Sequence, residues 1–255
     1  MKKTVFALLA ALTALCACQP SFEVYDLRCE GLTEPLGIDS TEPHFSWKIR
    51  SDRPMEQAAY EMEVGPDLWN SGKVESPDQV MVPYRGAPLA ARQQAWWRVR
   101  VWDAAGKVSA WSTRQRFGVG VLDGLKGDFI GAVPGEGRQP MLRKVFTSDQ
   151  AGEALLHVTS LGYHEVCFNG NKVPGEGAQT VLLPAVSQLD KRSLIVTYSL
   201  NLQKGENELL INAGTGWYKP MTFGAAYDGP LVKAELDVDG EPVLWSDGSW
   251  EGAWS

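Results

Sequence analysis

The chain has 255 residues, 44% apolar and 22% charged, which is the balance of a folded globular protein with room for two modest domains. Its net charge of −7 carries no basic stripe, and neither a phosphate-binding loop nor a recognition helix is present, so nucleic acid is excluded as a partner. Ten tryptophans, 26 glycines and 15 prolines point to short strands joined by tight turns.

The first segment reads as an address. Lys2 and Lys3 precede an apolar run over 5–17. That run is too short for a membrane span, which needs roughly 20 residues, and fits a secretory signal peptide covering 1–18. Leu15, Cys16 and Ala17 before Cys18 resemble a bacterial lipobox, which makes Cys18 the expected lipidation site. An exported lipoprotein of the outer membrane or periplasm, held to the membrane by its lipid, is the expectation. With Cys16 removed and Cys18 acylated, Cys29 and Cys167 remain, far apart in sequence and expected to be unpaired. No Cys/His spacing suggests zinc.

A first domain is expected over 21–122. Residues 45–49 (FSWKI) place Phe45, Trp47 and Ile49 on one face. Residues 60–64 (YEMEV) alternate apolar and acidic, and 96–102 (WWRVRVW) put Trp97, Val99 and Val101 on one face. Trp96, Arg98, Arg100 and Trp102 take the other face. A turn follows at 103–106, and strand character is expected again over 108–111. Glu61 and Glu63 share a face, as a paired-carboxylate site requires. A solvated outer face with Arg98 and Arg100 opposite them explains the same pattern and is preferred. The whole reads as a fibronectin type III-like β-sandwich.

Glycines at 118, 120, 124 and 127 suggest a linker. A second antiparallel domain is expected over 128–255. Its strands fall at 155–159, 166–168, 194–198, 206–212, 231–238 and 243–245. Asn169-Gly170 and Asp239-Gly240 should close hairpins, since both turn positions need positive φ. The fold class is therefore all-β, with two tandem antiparallel β-sandwiches, the second a jelly roll. His44, His157 and His164 have no nucleophile motif beside them and read as structural or surface residues.

The order of motifs resembles the N-terminal half of bacterial α-L-rhamnosidases of the inverting glycoside hydrolase class. In the first domain these are PLGIDSTEPHFSWKI (35–49), AAYEMEV (58–64), LWNSGKV (68–74) and WWRVRVWDAAG (96–106). The second carries LRKVF (142–146), GYHEVCFNGNKV (162–173), LDKRSLIVTY (189–198) and KGENELLINAGTGWY (204–218). The resemblance implies an accessory jelly roll of a type that binds L-rhamnose with calcium. It also implies hydrolysis of terminal α-L-rhamnose by a catalytic (α/α)6 barrel C-terminal to both sandwiches, with no catalytic residue carried by this chain. SDGSWEGAW near Ser255 resembles a point inside the jelly roll, so an incomplete sandwich is expected.

Sugar binding is then the activity expected of the chain, because rings stack on aromatics while acids and amides take hydroxyls. The candidates are Asp190, Trp217, Tyr218 and Asn169. Asp190 reads equally as a calcium ligand and as a solvated loop carboxylate, and Lys191 beside it disfavours the cation. Trp217 fits a core anchor better than a platform, and Asn169 is already explained by its turn. Two other readings stay open: a stand-alone surface glycan-binding lipoprotein, and a structural or adhesin fragment without sugar affinity.

Overall fold

The computed structural model describes residues 22–132, 140–173, 194–215 and 230–254. Cys18, Asp190, Trp217 and Tyr218 lie outside the described residues. Seventeen strands and no helix occur among the described residues.

In the first sandwich one sheet joins β1 (Phe22–Cys29) to β2 (His44–Ser51), which also takes β6 (Val82–Pro83). The facing sheet is built on β3 (Gln57–Gly65), flanked by β4 (Trp69–Asn70), β5 (Val74–Glu75) and β7 (Gln94–Asp103). β8 (Gln115–Gly118) then pairs with β7. The period-two pattern of β7 is obeyed: Ala95, Trp97, Val99 and Val101 are buried, and the residues between them are half-buried. Trp97 stacks on Phe45 with centroids 4.4 Å apart, and Phe117 meets Phe45 edge-on at 5.5 Å. These rings tie the two sheets together through their large apolar areas.

On the outer face, the register sets Glu61 opposite Arg100 and Glu63 opposite Arg98. Both pairs close, at 2.6 Å and 2.5 Å. The two guanidinium groups also flank Trp111, 4.6 and 4.7 Å from its ring centroid. Paired, sheet-borne acids of this kind are a stabilised face.

Trp111 does not lie on a strand, contrary to the expectation for 108–111. Only Val108 bridges β7, at Trp102. Ser109 and Ser112 donate their N–H groups to the Val101 and Val99 carbonyls, both at 2.9 Å. Their hydroxyls accept from the Val101 and Val99 N–H groups, both at 3.1 Å. Each serine thus makes, with its backbone N–H and its hydroxyl, the two bonds that one antiparallel strand residue makes with its N–H and C=O. The segment advances three residues while β7 advances two, so a regular strand cannot form. Gly118 and Gly120 also serve this sandwich rather than a linker: their N–H groups donate to Pro35 and Ile38 carbonyls, both at 2.7 Å.

The second sandwich pairs a five-stranded sheet with a four-stranded one. The first contains β9 (Pro140–Ser148), β11 (Tyr163–Phe168), β12 (Asn171–Lys172), β14 (Gly205–Gly214) and β17 (Glu251–Trp254). The second contains β10 (Gly152–Leu161), β13 (Val196–Leu202), β15 (Leu231–Val238) and β16 (Glu241–Trp245). Both expected hairpins close with two positive φ angles, 46° and 78° at Asn169-Gly170 and 53° and 81° at Asp239-Gly240. Leu142, Leu156, Val158, Leu209, Ile211 and Leu236 fill the core. β13 starts two residues later than expected, leaving Leu194 and Ile195 partly exposed. Cys29 and Cys167 are free thiols, the first buried and the second half-buried.

Two histidines are fully buried. His164 places Nδ1 2.9 Å from Ser160 Oγ and Nε2 3.0 Å from Tyr198 Oη. Burial lowers its pKa to about 3, so the ring is neutral across the physiological range.

Candidate functional site at the seam of the two sandwiches

β15 carries LVKAELDV, and its Val232, Ala234 and Leu236 face the core of the second sandwich. Solvent is the ordinary destination of the alternate residues, yet Glu235 is 0% and Asp237 2% exposed. The first sandwich covers them. In the turn before β7, Arg92 has φ of 62° and donates its N–H to the Gly120 carbonyl, which aims its side chain across the seam.

The Arg92 guanidinium is 8% exposed and meets three carboxylates. Nη2 donates to Glu235 Oε1 at 2.6 Å, and Nε lies 2.9 Å from Asp237 Oδ2. Nη1 bonds Asp123, in the connection between the sandwiches. The second Glu235 oxygen accepts the Lys126 N–H at 2.5 Å. Behind Asp237, His157 sets Nε2 3.3 Å from Oδ2 and Nδ1 2.9 Å from Thr197 Oγ1. Burial works against the charge on Arg92, but its hydrogen bonds to Glu235 and Asp123 outweigh that and raise its pKa. The same Arg92 bond holds the Asp123 carboxyl below its usual range. A buried pair recovers little net energy beyond its desolvation, whereas removal of one partner leaves the others as uncompensated buried charges.

Beside this cluster a cleft of about 440 Å³ opens between the two sandwiches. Gln94, Trp96 and Arg116 line it from the first sandwich, and Glu153, Asp237 and Asp239 from the second. Arg116 Nη1 donates to Glu153 Oε1 at 2.7 Å across the opening. Burial raises the Glu153 pKa, but the bonds from Arg116 and Ser199 prevail and lower it overall. Trp96 is fixed: the Arg114 guanidinium sits 3.8 Å from its centroid, and a Cβ on Gly65 would stand 2.2 Å from the ring. The Gln94 amide lies over Gly118, where a Cβ would come within 2.1 Å of it. Neither amide atom of Gln94 has a hydrogen-bond partner, and neither carboxylate oxygen of Asp237 accepts a hydrogen bond.

Of the expected sugar ligands, Asn169 is described. Its Oδ1 accepts the Glu208 N–H at 2.7 Å and its Nδ2 donates to Asn207 Oδ1 at 3.1 Å. These bonds commit the amide to holding the hairpin against β14. Among the described residues no group of three or more His, Cys, Asp or Glu side chains is placed to hold a metal ion. Sequence reasoning passed over Arg92, Gln94, Glu235 and Asp237. Glu235 and Asp237 share the i, i+2 spacing of Glu61 and Glu63, so their burial by a second domain left no local signal.

Comparison with known proteins bears on both sandwiches. Residues 24–123 match the family model described as Rha78A-like, N-terminal immunoglobulin domain, and 149–255 match the α-L-rhamnosidase N-terminal domain. An α-L-rhamnosidase of Formosa agariphila is 29% identical over 257 residues, covering 87% of this chain and 27% of that protein. One from Alteromonas sp. (strain LOR) is 31% identical over 215 residues, covering 74% of this chain and 23% of that protein. The crystal structure of the Aspergillus terreus α-L-rhamnosidase superposes with a TM-score of 0.78 at 27% identity, over 91% of this chain and 29% of that one. The Dictyoglumus thermophilum α-L-rhamnosidase structure gives 0.73 at 28% identity, with 91% and 29% covered. The chain thus spans less than a third of the length of these relatives.

Proposed function

The chain belongs to the α-L-rhamnosidase family, as its N-terminal portion, and we propose that this portion is the non-catalytic scaffold of a secreted, lipid-anchored enzyme that removes terminal α-L-rhamnose from glycans. The observation that carries this reading is the buried Arg92–Glu235–Asp237 cluster, which holds two family-matched sandwiches in one fixed arrangement. A fixed pair of sandwiches can orient a neighbouring catalytic domain toward a polymeric substrate, whereas two loosely tethered ones cannot. Hydrolysis in this reading belongs to a part of the enzyme other than these sandwiches.

Anchoring rests on Cys18 after the apolar 5–17 run, and L-rhamnose recognition on Asp190, Trp217 and Tyr218, with calcium at Asp190. The test has three arms. The purified chain should release no chromophore from a chromogenic α-L-rhamnoside, and measurable turnover would overturn the non-catalytic assignment. Calorimetric titration with L-rhamnose should give a calcium-dependent heat that Asp190→Ala abolishes; equal heats with and without calcium would remove the metal from the reading. Cys18→Ala should move the protein from the membrane fraction to the soluble one, and unchanged partition would remove the anchor.

A further inference from the structure

The Asn169-Gly170 turn holds the reactants of a covalent step. A backbone nitrogen that follows an asparagine can attack the carbon of its side-chain amide, and a glycine there leaves the approach unhindered. The Gly170 N–H would lose its proton and its nitrogen would bond to Asn169 Cγ. Nδ2 would leave with a proton as ammonia, closing a five-membered imide. Water from the solvent then adds to the imide, and one of its two C–N bonds breaks. Aspartate at 169 is one product. The other is an isoaspartyl link, which runs the main chain through the side chain. Nothing is oxidised or reduced in either route.

The fold leaves one reactant free and restrains the other. Gly170 is exposed, a Cβ on it would meet nothing within 4 Å, and its N–H has no hydrogen-bond partner among the described residues. The Asn169 amide is gripped at both ends, by the Glu208 N–H at 2.7 Å and by Asn207 Oδ1 at 3.1 Å. Both partners lie on β14, so turning Cγ toward Gly170 breaks both bonds. Asn207 is itself fixed. It is 1% exposed, and its Nδ2 donates to the Gln203 and Gly205 carbonyls at 2.8 and 3.1 Å. Only its acceptor oxygen is therefore turned to Asn169. Neither product can restore the grip. A carboxylate at 169 has no proton to donate to Asn207 Oδ1. An isoaspartyl link adds a main-chain carbon to a turn whose length sets Cys167 opposite Lys172 and Phe168 opposite Asn171.

We propose that Asn169-Gly170 is a deamidation site guarded by the fold. Asn207 and Glu208 withhold the amide while the hairpin is closed, and each local opening exposes it to a one-way reaction. The site is independent of the rhamnosidase reading.

Peptide mapping of the full chain, aged at mildly alkaline pH in heavy-oxygen water, tests it, because the new carboxyl group takes its oxygen from the solvent. Folded and denatured samples are followed side by side. Conversion at residue 169 should be slower in the folded chain by at least about tenfold, the factor that two ordinary hydrogen bonds supply. Equal rates would remove the guard, and no conversion in denaturant would remove the site. Asn207→Ala takes away the acceptor and should bring the native rate toward the denatured one; an unchanged rate overturns the clamp. That variant also loses the bonds to Gln203 and Gly205, so Asn207→Asp is the second variant. It loses the same two bonds but keeps an acceptor for Asn169, and its conversion should stay slow. Equal acceleration in the two variants would assign the protection to the stability of β14 alone and overturn the proposal.

Discussion

Arg92 of the first sandwich donates to the fully buried Glu235 of the second at 2.6 Å, from a guanidinium that is itself 8% exposed. This contact, between residues 143 positions apart, makes the seam a part of the protein interior. Arg92→Met would strand two carboxylates without a countercharge. The expected cost is about 3–5 kcal/mol, the usual penalty for breaking a buried pair. Differential scanning calorimetry should then resolve two transitions in place of one. Arg92→Lys should recover only part of the loss, since an ammonium cannot span Glu235 and Asp237 with a planar fork.

The outer-face pairs should behave differently. Arg98 and Glu63 are 27% and 29% exposed, so solvent screens their attraction. Glu63→Ala is expected to cost less than about 1 kcal/mol. Most of that difference should vanish in 1 M salt, where the Debye length falls to about 3 Å. Denaturant midpoints at low and high salt check it.

His164 gives the stability a pH dependence. Its folded pKa, lowered by burial to about 3, lies well below the ordinary histidine value of about 6.5. The unfolded chain therefore takes up a proton that the folded chain refuses. The contribution is complete above pH 6.5 and is lost as pH falls from there toward 3. Its full extent is on the order of a few kcal/mol. The His164 ring signals should not titrate by NMR between pH 5 and 8, and His164→Gln should flatten the acid limb of the stability curve.

At the Asn169-Gly170 hairpin, two effects can be separated. Asn169→Ala removes the bonds to Glu208 and Asn207 and leaves a β-carbon at a φ of 46° without the amide that makes this conformation tolerable to asparagine. Together these should cost about 1–3 kcal/mol. Asn169→Gly removes the bonds but accepts the backbone, so it should cost less. Chemical denaturation of the two variants gives the difference directly.

Much of this fold could be read from short-range pattern. The alternation of 96–102 placed Trp97, Val99 and Val101 inward, and the opposed charges of 61–63 and 98–100 meet as their spacing suggested. Asn-Gly and Asp-Gly marked both hairpins, because positive φ is a local demand. Residues 108–111 misled because Ser109 and Ser112 use hydroxyls to imitate backbone groups, a role that apolar periodicity does not register. Glu235 and Asp237 misled for another reason. Alternation states which residues leave their own core, but not whether a second domain waits on the other side. The unpartnered amide of Gln94 was equally hidden, since its isolation depends on Gly118 and on the facing sandwich. Among the expected sugar ligands, Asn169 proved committed to its hairpin; Asp190, Trp217 and Tyr218 lie outside the described residues.

The serine-stepped segment along β7 has a further effect. An incoming strand recruits a sheet edge by matching its two-residue repeat of N–H and C=O groups. Ser109 and Ser112 cover Val99 and Val101 with a chain that repeats every three residues. A foreign strand arriving there meets hydrogen-bonding groups out of step with its own, and can pair with no more than an isolated group. The side of the first sandwich that carries the Trp111 stack is thereby guarded against strand-by-strand aggregation, by two hydroxyl groups rather than by a proline or a buried charge.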